Sequence, residues 1–185
     1  MNDALSLLTG VVVVLAITAV TAYFVAQEFA YMSVDRSKLT ARAQAGDDTA
    51  RRTLAITRRT SFLLSGAQLG ITVTGLLVGY VAEPLIGMAL SSMLGGVGIP
   101  TGIGLTVGGI LAITFSTFVQ MLFGELYPKN YAIARPEQVS GALARSSALY
   151  LKVFGPAIWV FDKSAELLLK RVGIEPVSYT HLRAH

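Results

Sequence analysis

The sequence contains no cysteine, so neither a disulfide framework nor a thiolate metal site is available to it. Both of its histidines, His181 and His185, sit at the extreme C-terminus, so the body of the chain offers no imidazole ligand. Charge is also scarce: 14% of residues are charged against 53% hydrophobic, where a soluble domain carries about a quarter charged. With mean hydropathy at +0.60, the deficit points to spanning helices. No nucleophile–base pairing or metal-hydrolase motif occurs, and no enzymatic activity is expected. A pI near 9.5 would suggest nucleic acid in a soluble protein. Here the bases flank apolar runs, where they set membrane topology, so no nucleic-acid partner is expected.

Long uncharged blocks are what the chain has in quantity. No charge occurs between Asp3 and Glu28, and a stretch of about 20 apolar residues crosses a bilayer core of ~30 Å. The N-terminus carries Asp3 and no base, so this run is read as a retained helix rather than a signal peptide. A second block runs from Ser61 to Ala82, closed by Glu83-Pro84. Leu85 to Leu94 is too short to cross and is expected as an outer-face helix or a loop packed on the bundle. The third block runs from Thr101 to Phe123 and ends at Glu125-Leu126-Tyr127-Pro128-Lys129.

The expected fold is an all-α integral membrane domain over residues 1–172, with spans at about 5–33, 60–83 and 101–126. Residues 137–172, interrupted by Arg145, Lys152, Pro156, Asp162 and Lys163, are expected as helices at the interface rather than a fourth span. Residues 173–185 are expected to be a disordered or non-native tail. Arg36, Lys38, Arg42, Arg51, Arg52, Arg58 and Arg59 follow the first span, while the connection between the second and third has no base. The positive-inside rule therefore puts the N-terminus outside and the C-terminus in the cytoplasm.

Polar residues within spans are expensive and invite a functional hypothesis. Gln27 and Glu28 end the first span, Ser65 and Gln68 lie near the start of the second, and Glu125 ends the third. Ser61, Ser65, Gln68 and Thr72 follow helical spacing and would form one polar face. Thr117, Gln120 and Gly124 repeat the pattern beside Glu125. Such residues either hold helices together by hydrogen bonds or form an oxygen-only site suited to a hard cation such as Mg²⁺. Gly66/Gly70, Gly75/Gly79 and Gly104/Gly108 are small-xxx-small pairs that allow close approach within one chain or between two.

Several stretches together resemble the CorC/CNNM family of magnesium transporters, also labelled hemolysin-like proteins. They are Glu28-Phe29-Ala30 with Ser33-Val34-Asp35-Arg36, Gln68-Leu69-Gly70-Ile71-Thr72 with Leu76 to Pro84, and Phe123-Gly124-Glu125-Leu126-Tyr127-Pro128-Lys129. The resemblance covers the family's transmembrane domain, from Met1 to about Val172. It implies a homodimer in the lipid bilayer of the plasma or inner membrane, with Mg²⁺ bound among three helices and exported with Na⁺ as the driving ion. It maps the third-helix glutamate onto Glu125 and the second-helix hydroxyl onto Ser65. The family's first-helix serines are replaced here by Val25 and Gln27, which leave a backbone carbonyl and an amide oxygen. Together with the Gly66 carbonyl these complete the expected metal set of Glu125, Ser65, Gln27, Val25 and Gly66. The family's nucleotide-binding CBS modules lie beyond this sequence. The alternative is a membrane anchor and dimerisation module without ion flux of its own.

Overall fold

A computed structural model describes residues 3–173, all of which fall in helices or the short turns between them. The expectation for residues 174–185 lies outside the described residues. Three helices are long and apolar enough to cross a membrane: Asp3–Ser33, Thr60–Gly95 and Thr101–Ala134. They comprise α1 (Asp3–Ser33), α4 (Thr60–Ala82) leading into α5 (Met88–Gly95), and α6 (Thr101–Val119) leading into α7 (Tyr127–Ala134). Between α1 and α4 lies the hairpin of α2 (Arg36–Gln44) and α3 (Asp48–Thr57). After α7 come α8 (Pro136–Val153) and α9 (Gly155–Arg171).

The spans are apolar on nearly every face, as helices surrounded by lipid must be. What distinguishes the inward face is small size. On α4 the buried residues include Gly66, Gly70, Thr74, Val78 and Ala82, one every four positions. On α1 they include Gly10, Val14, Thr18 and Thr21, while Leu8, Val12 and Leu15 point outward. Small side chains let the backbones approach, and packing rather than hydrophobicity is what joins helices in lipid. A Cβ at Gly70 would meet the Phe24 ring at 2.5 Å, so Phe24 fills the notch that this glycine leaves.

The second apolar run does not stop at Glu83-Pro84, where the sequence suggested closure. The helix widens into a π turn over Glu83–Gly87 and continues as α5. The third behaves likewise, passing through a π turn over Gln120–Leu126 and then Pro128 to reach Ala134. Proline has no N–H to give to the carbonyl four residues back and clashes with it in a regular helix. A turn already wound to i→i+5 relaxes that conflict, so the helix continues past the proline. α5 folds back against α6, with Gly87 against Gly108 and Ser91 against Gly104. Gly98, at φ +87°, makes the intervening reversal, a conformation that other residues rarely adopt.

The remaining helices gather at the end of the bundle where α1 finishes and α4 begins, and they form a belt there. Pro136 and Pro156 stand in the first turns of α8 and α9, where a missing N–H costs nothing. Pro156 thus starts a helix rather than breaking one. Asp35 and Asp47 cap α2 and α3 by accepting backbone N–H bonds two and three residues on. The Ala50 amide and the Arg42 guanidinium hold the Asp47 carboxyl below the usual carboxylate range. Arg42 also reaches Glu137 at 3.4 Å, and Lys38 reaches it at 3.5 Å, tying the hairpin to α8. Against the bundle, the Tyr150 hydroxyl donates to the Gly66 carbonyl at 2.9 Å, and Ile158 and Leu151 fill the space beside Gly66.

Candidate functional site

Midway along the spans, one chain of hydrogen bonds links all three. The amide nitrogen of Gln120 donates to the Thr21 hydroxyl at 2.9 Å, Thr21 donates to Thr74 at 2.8 Å, and Thr74 donates to the Gly70 carbonyl at 2.8 Å. The Thr18 hydroxyl in turn donates to the Gln120 amide oxygen at 3.0 Å. Each group accepts or donates in a consistent direction, so a polar cluster buried in an apolar bundle is satisfied at low cost. It also fixes register: Thr21 of α1, Thr74 of α4 and Gln120 of the third helix share one level.

Beside this chain, between α4 and the third helix, lies a cleft of about 340 Å³. Gly75 and Gly79 form its α4 wall, where a Cβ would meet nothing within 4 Å. Ser116, Thr117, Gln120 and Glu125 supply the facing oxygens. Among the lining residues Glu125 alone is charged, and it stands in the π turn that follows α6. Such turns displace side chains from regular helical positions and recur at functional sites. The Ser116 hydroxyl is buried with no hydrogen-bond partner, a costly state inside a membrane unless a water or ion takes it up. The volume accommodates a dication with its water shell, about 180 Å³ for six waters at ~30 Å³ each.

Of the five residues expected to share a metal, Glu125 alone lines this cleft. Glu125 is exposed to the cleft, whose walls include none of Val25, Gln27, Ser65 or Gly66. Gln27 is fully buried, and neither of its amide atoms has a partner among the described residues. Val25 is 4% exposed. Ser65 donates to Asp162 of α9 at 3.0 Å, as Ser61 does at 2.6 Å. The Gly66 carbonyl is held by Tyr150. Ser65 and Gly66 therefore face the belt, while Glu125 faces the upper part of α4. Among the described residues no three His, Asp or Glu side chains gather as a metal cage. One carboxylate with neutral oxygens and retained waters is nonetheless the donor set that Mg²⁺ favours in proteins.

The polar stripe read from α4 also turns out differently. Gln68 and Thr72 are exposed and bond each other at 3.4 Å. Thr74, outside that stripe, is the buried hydroxyl. The small residues, not the polar ones, decide which face turns inward, because only they permit close contact. Thr18, Thr21, Ser116 and Asp162 are likewise site or belt residues that the polar spacing did not single out. The four-residue repeat of small residues on α4 is the signal that leads to Thr74.

Replacing Gln120 by leucine should cost about 1–2 kcal/mol, since two interhelical bonds vanish and the Thr18 hydroxyl loses its acceptor. Unfolding in mixed detergent micelles, with Thr18→Val and the double variant closing the cycle, measures it. Additive losses would mean that the bonds contribute nothing jointly.

Comparison with known proteins bears on what this bundle is. Residues 11–184 match the family described as Cyclin M transmembrane N-terminal domain. The chain is 37% identical over 166 residues to UPF0053 protein MT1890 of Mycobacterium tuberculosis (strain CDC 1551 / Oshkosh), covering 90% of this chain and 36% of that protein. It is 31% identical over 175 residues to UPF0053 protein YhdP of Bacillus subtilis (strain 168), covering 95% and 39%. UPF0053 protein YhdT of the same organism is 33% identical over 160 residues, covering 86% and 35%. The chain thus spans well under half the length of these relatives. Three apolar helices, a polar chain buried between them and this match together identify the chain as a membrane domain of the CNNM (Cyclin M) transmembrane family.

Proposed function

We propose that this domain carries a divalent cation, Mg²⁺, across the plasma membrane, exchanging it for Na⁺ and acting as a homodimer with the belt in the cytoplasm. The observation that carries this is the cleft: a single carboxylate, an unsatisfied buried hydroxyl and an amide oxygen beside a hydrogen-bonded crossing of all three spans. The orientation is supported by the bases of the α2–α3 hairpin and their lack between α4 and α6. Homodimerisation is supported by Gly75 and Gly79, whose free faces leave room for a second copy at the mouth of the cleft.

Glu125 supplies the charged ligand. Gln27, buried and unpartnered, is the first-helix oxygen ready to join it, with the Val25 carbonyl two residues before it. Ser65 and the Gly66 carbonyl are engaged by Asp162 and Tyr150, so their recruitment requires the belt to shift. Movement of α8–α9 would then be coupled to completion of the ion shell, and rocking of α4 against the third helix would alternate access.

The engagement of Ser65 and Gly66 by the belt also favours the second reading, a membrane anchor and dimerisation platform. Flux separates the two. Proteoliposomes loaded with a Mg²⁺ indicator should show Mg²⁺ movement that depends on an opposing Na⁺ gradient. An anchor gives none under any gradient.

A further inference from the structure

Some basic residues of the belt are neutralised within the chain. Lys38 and Arg42 are neutralised by Glu137 and Asp47, and Arg51 pairs with Asp48. On the other flank of α3, Arg52, Arg59 and Lys152 line one groove of about 540 Å³. Their charged groups make no ion pair or hydrogen bond among the described residues. No acidic residue lines that groove; its walls are Ile56, Phe62, Leu151 and two alanines. Three unneutralised cations lining one groove that holds no carboxylate make a surface suited to an anionic ligand.

Position narrows the ligand. Arg59 immediately precedes α4 and Phe62 is in its first turn, while Lys152 closes α8. The groove therefore sits where a membrane-spanning helix begins, and its lining combines cationic and apolar side chains. A phosphodiester headgroup with its acyl chains offers the complementary chemistry, and basic pockets between spans hold such headgroups. We infer that the groove between α3, the start of α4 and α8 is a binding site for an anionic phospholipid. Arg52, Arg59 and Lys152 hold its phosphate, and Phe62 and Leu151 contact the upper acyl chain. The bound lipid would bridge α4 to α8 and so brace the belt against the bundle. This rests on the chain being a membrane domain and is independent of ion transport.

Native mass spectrometry of the purified protein, equilibrated with equimolar dioleoyl-phosphatidylglycerol and dioleoyl-phosphatidylcholine, tests it. The protein should retain phosphatidylglycerol preferentially, and each neutralised cation should cut that preference about fivefold. Arg59→Gln with Lys152→Gln should lower it about 25-fold, whereas Lys38→Gln with Arg51→Gln, an equal charge change on paired residues, should leave it within twofold. If the groove variant does not fold, Lys152→Gln alone gives the fivefold step, and Lys152→Arg should restore retention. Inorganic phosphate at millimolar concentration should not displace the lipid; displacement would assign the groove to a free anion. Equal losses in the paired and unpaired variants, or no preference for phosphatidylglycerol, would overturn the proposal.

Discussion

With Glu125 replaced by alanine, Mg²⁺ is expected to lose its ability to stabilise the purified protein. A ligand at 100 times its dissociation constant stabilises the folded state by about 2.7 kcal/mol, so the wild-type protein should melt several degrees higher with millimolar Mg²⁺ than without. Glu125 is the one charged residue lining the cleft. Without it, a hydroxyl and amides cannot compensate the cost of removing water from a dication. Affinity should fall by at least about 100-fold, the upper end of what even indirect partners of metal ligands contribute. Glu125→Gln keeps the shape and one oxygen, and should fail nearly as badly if charge is what matters. Retention of the Mg²⁺ shift in both variants would remove Glu125 from the site.

Gly108→Ala should be among the most damaging single-methyl additions in the chain. A Cβ there would lie 2.4 Å from the Gly87 carbonyl oxygen and 3.0 Å from the Ser91 amide nitrogen. Both are backbone atoms, so no side chain can swing aside. α5 would have to move off α6. Overpacking of this kind costs about 3 kcal/mol. Its neighbour is the control: a Cβ at Gly109 meets nothing within 4 Å, so Gly109→Ala should be neutral or stabilising by up to about 1 kcal/mol, from helix propensity. Equal effects of the two, read by unfolding in mixed micelles, would contradict the α5–α6 packing.

The spans were legible because lipid makes a harsh demand, the removal of charge from about 20 consecutive residues, and Asp3 to Glu28 meets it openly. The belt was legible in outline, since Arg145, Lys152 and Asp162 cannot be left in a fourth span at tolerable cost. The prolines do not reveal the path of the helices. Pro84 and Pro128 interrupt regular α-helix, but a π turn absorbs each, and nothing in the local sequence announces that. The site was legible by residue type and less so by assembly. Gln120 and Glu125 lie close in sequence and share the cleft. Ser65 and Glu125 depend on how α4 is rotated, and that rotation is set by Gly66, Gly70 and Thr74 rather than by Gln68 and Thr72. The bond from Ser65 to Asp162 spans 97 residues. Only the three-dimensional path of α9 reveals it.

The belt and the cleft meet through α4. Its belt-facing side is held by Asp162 and Tyr150, and its opposite end lines the cleft with Gly75 and Gly79. A displacement of α8–α9 thus acts on the same helix that lines the cleft beside Glu125.

An experimental density map of the protein, collected in matched samples with and without Mg²⁺, bears most directly on the proposal that the cleft holds a cation. Spherical density should occupy the space between α4 and the third helix at about 2.1 Å from a Glu125 carboxylate oxygen, and vanish when the ion is withheld. Finding the carboxylate turned into the lipid, with the cleft unchanged by Mg²⁺, would contradict the account and leave the domain as an anchor.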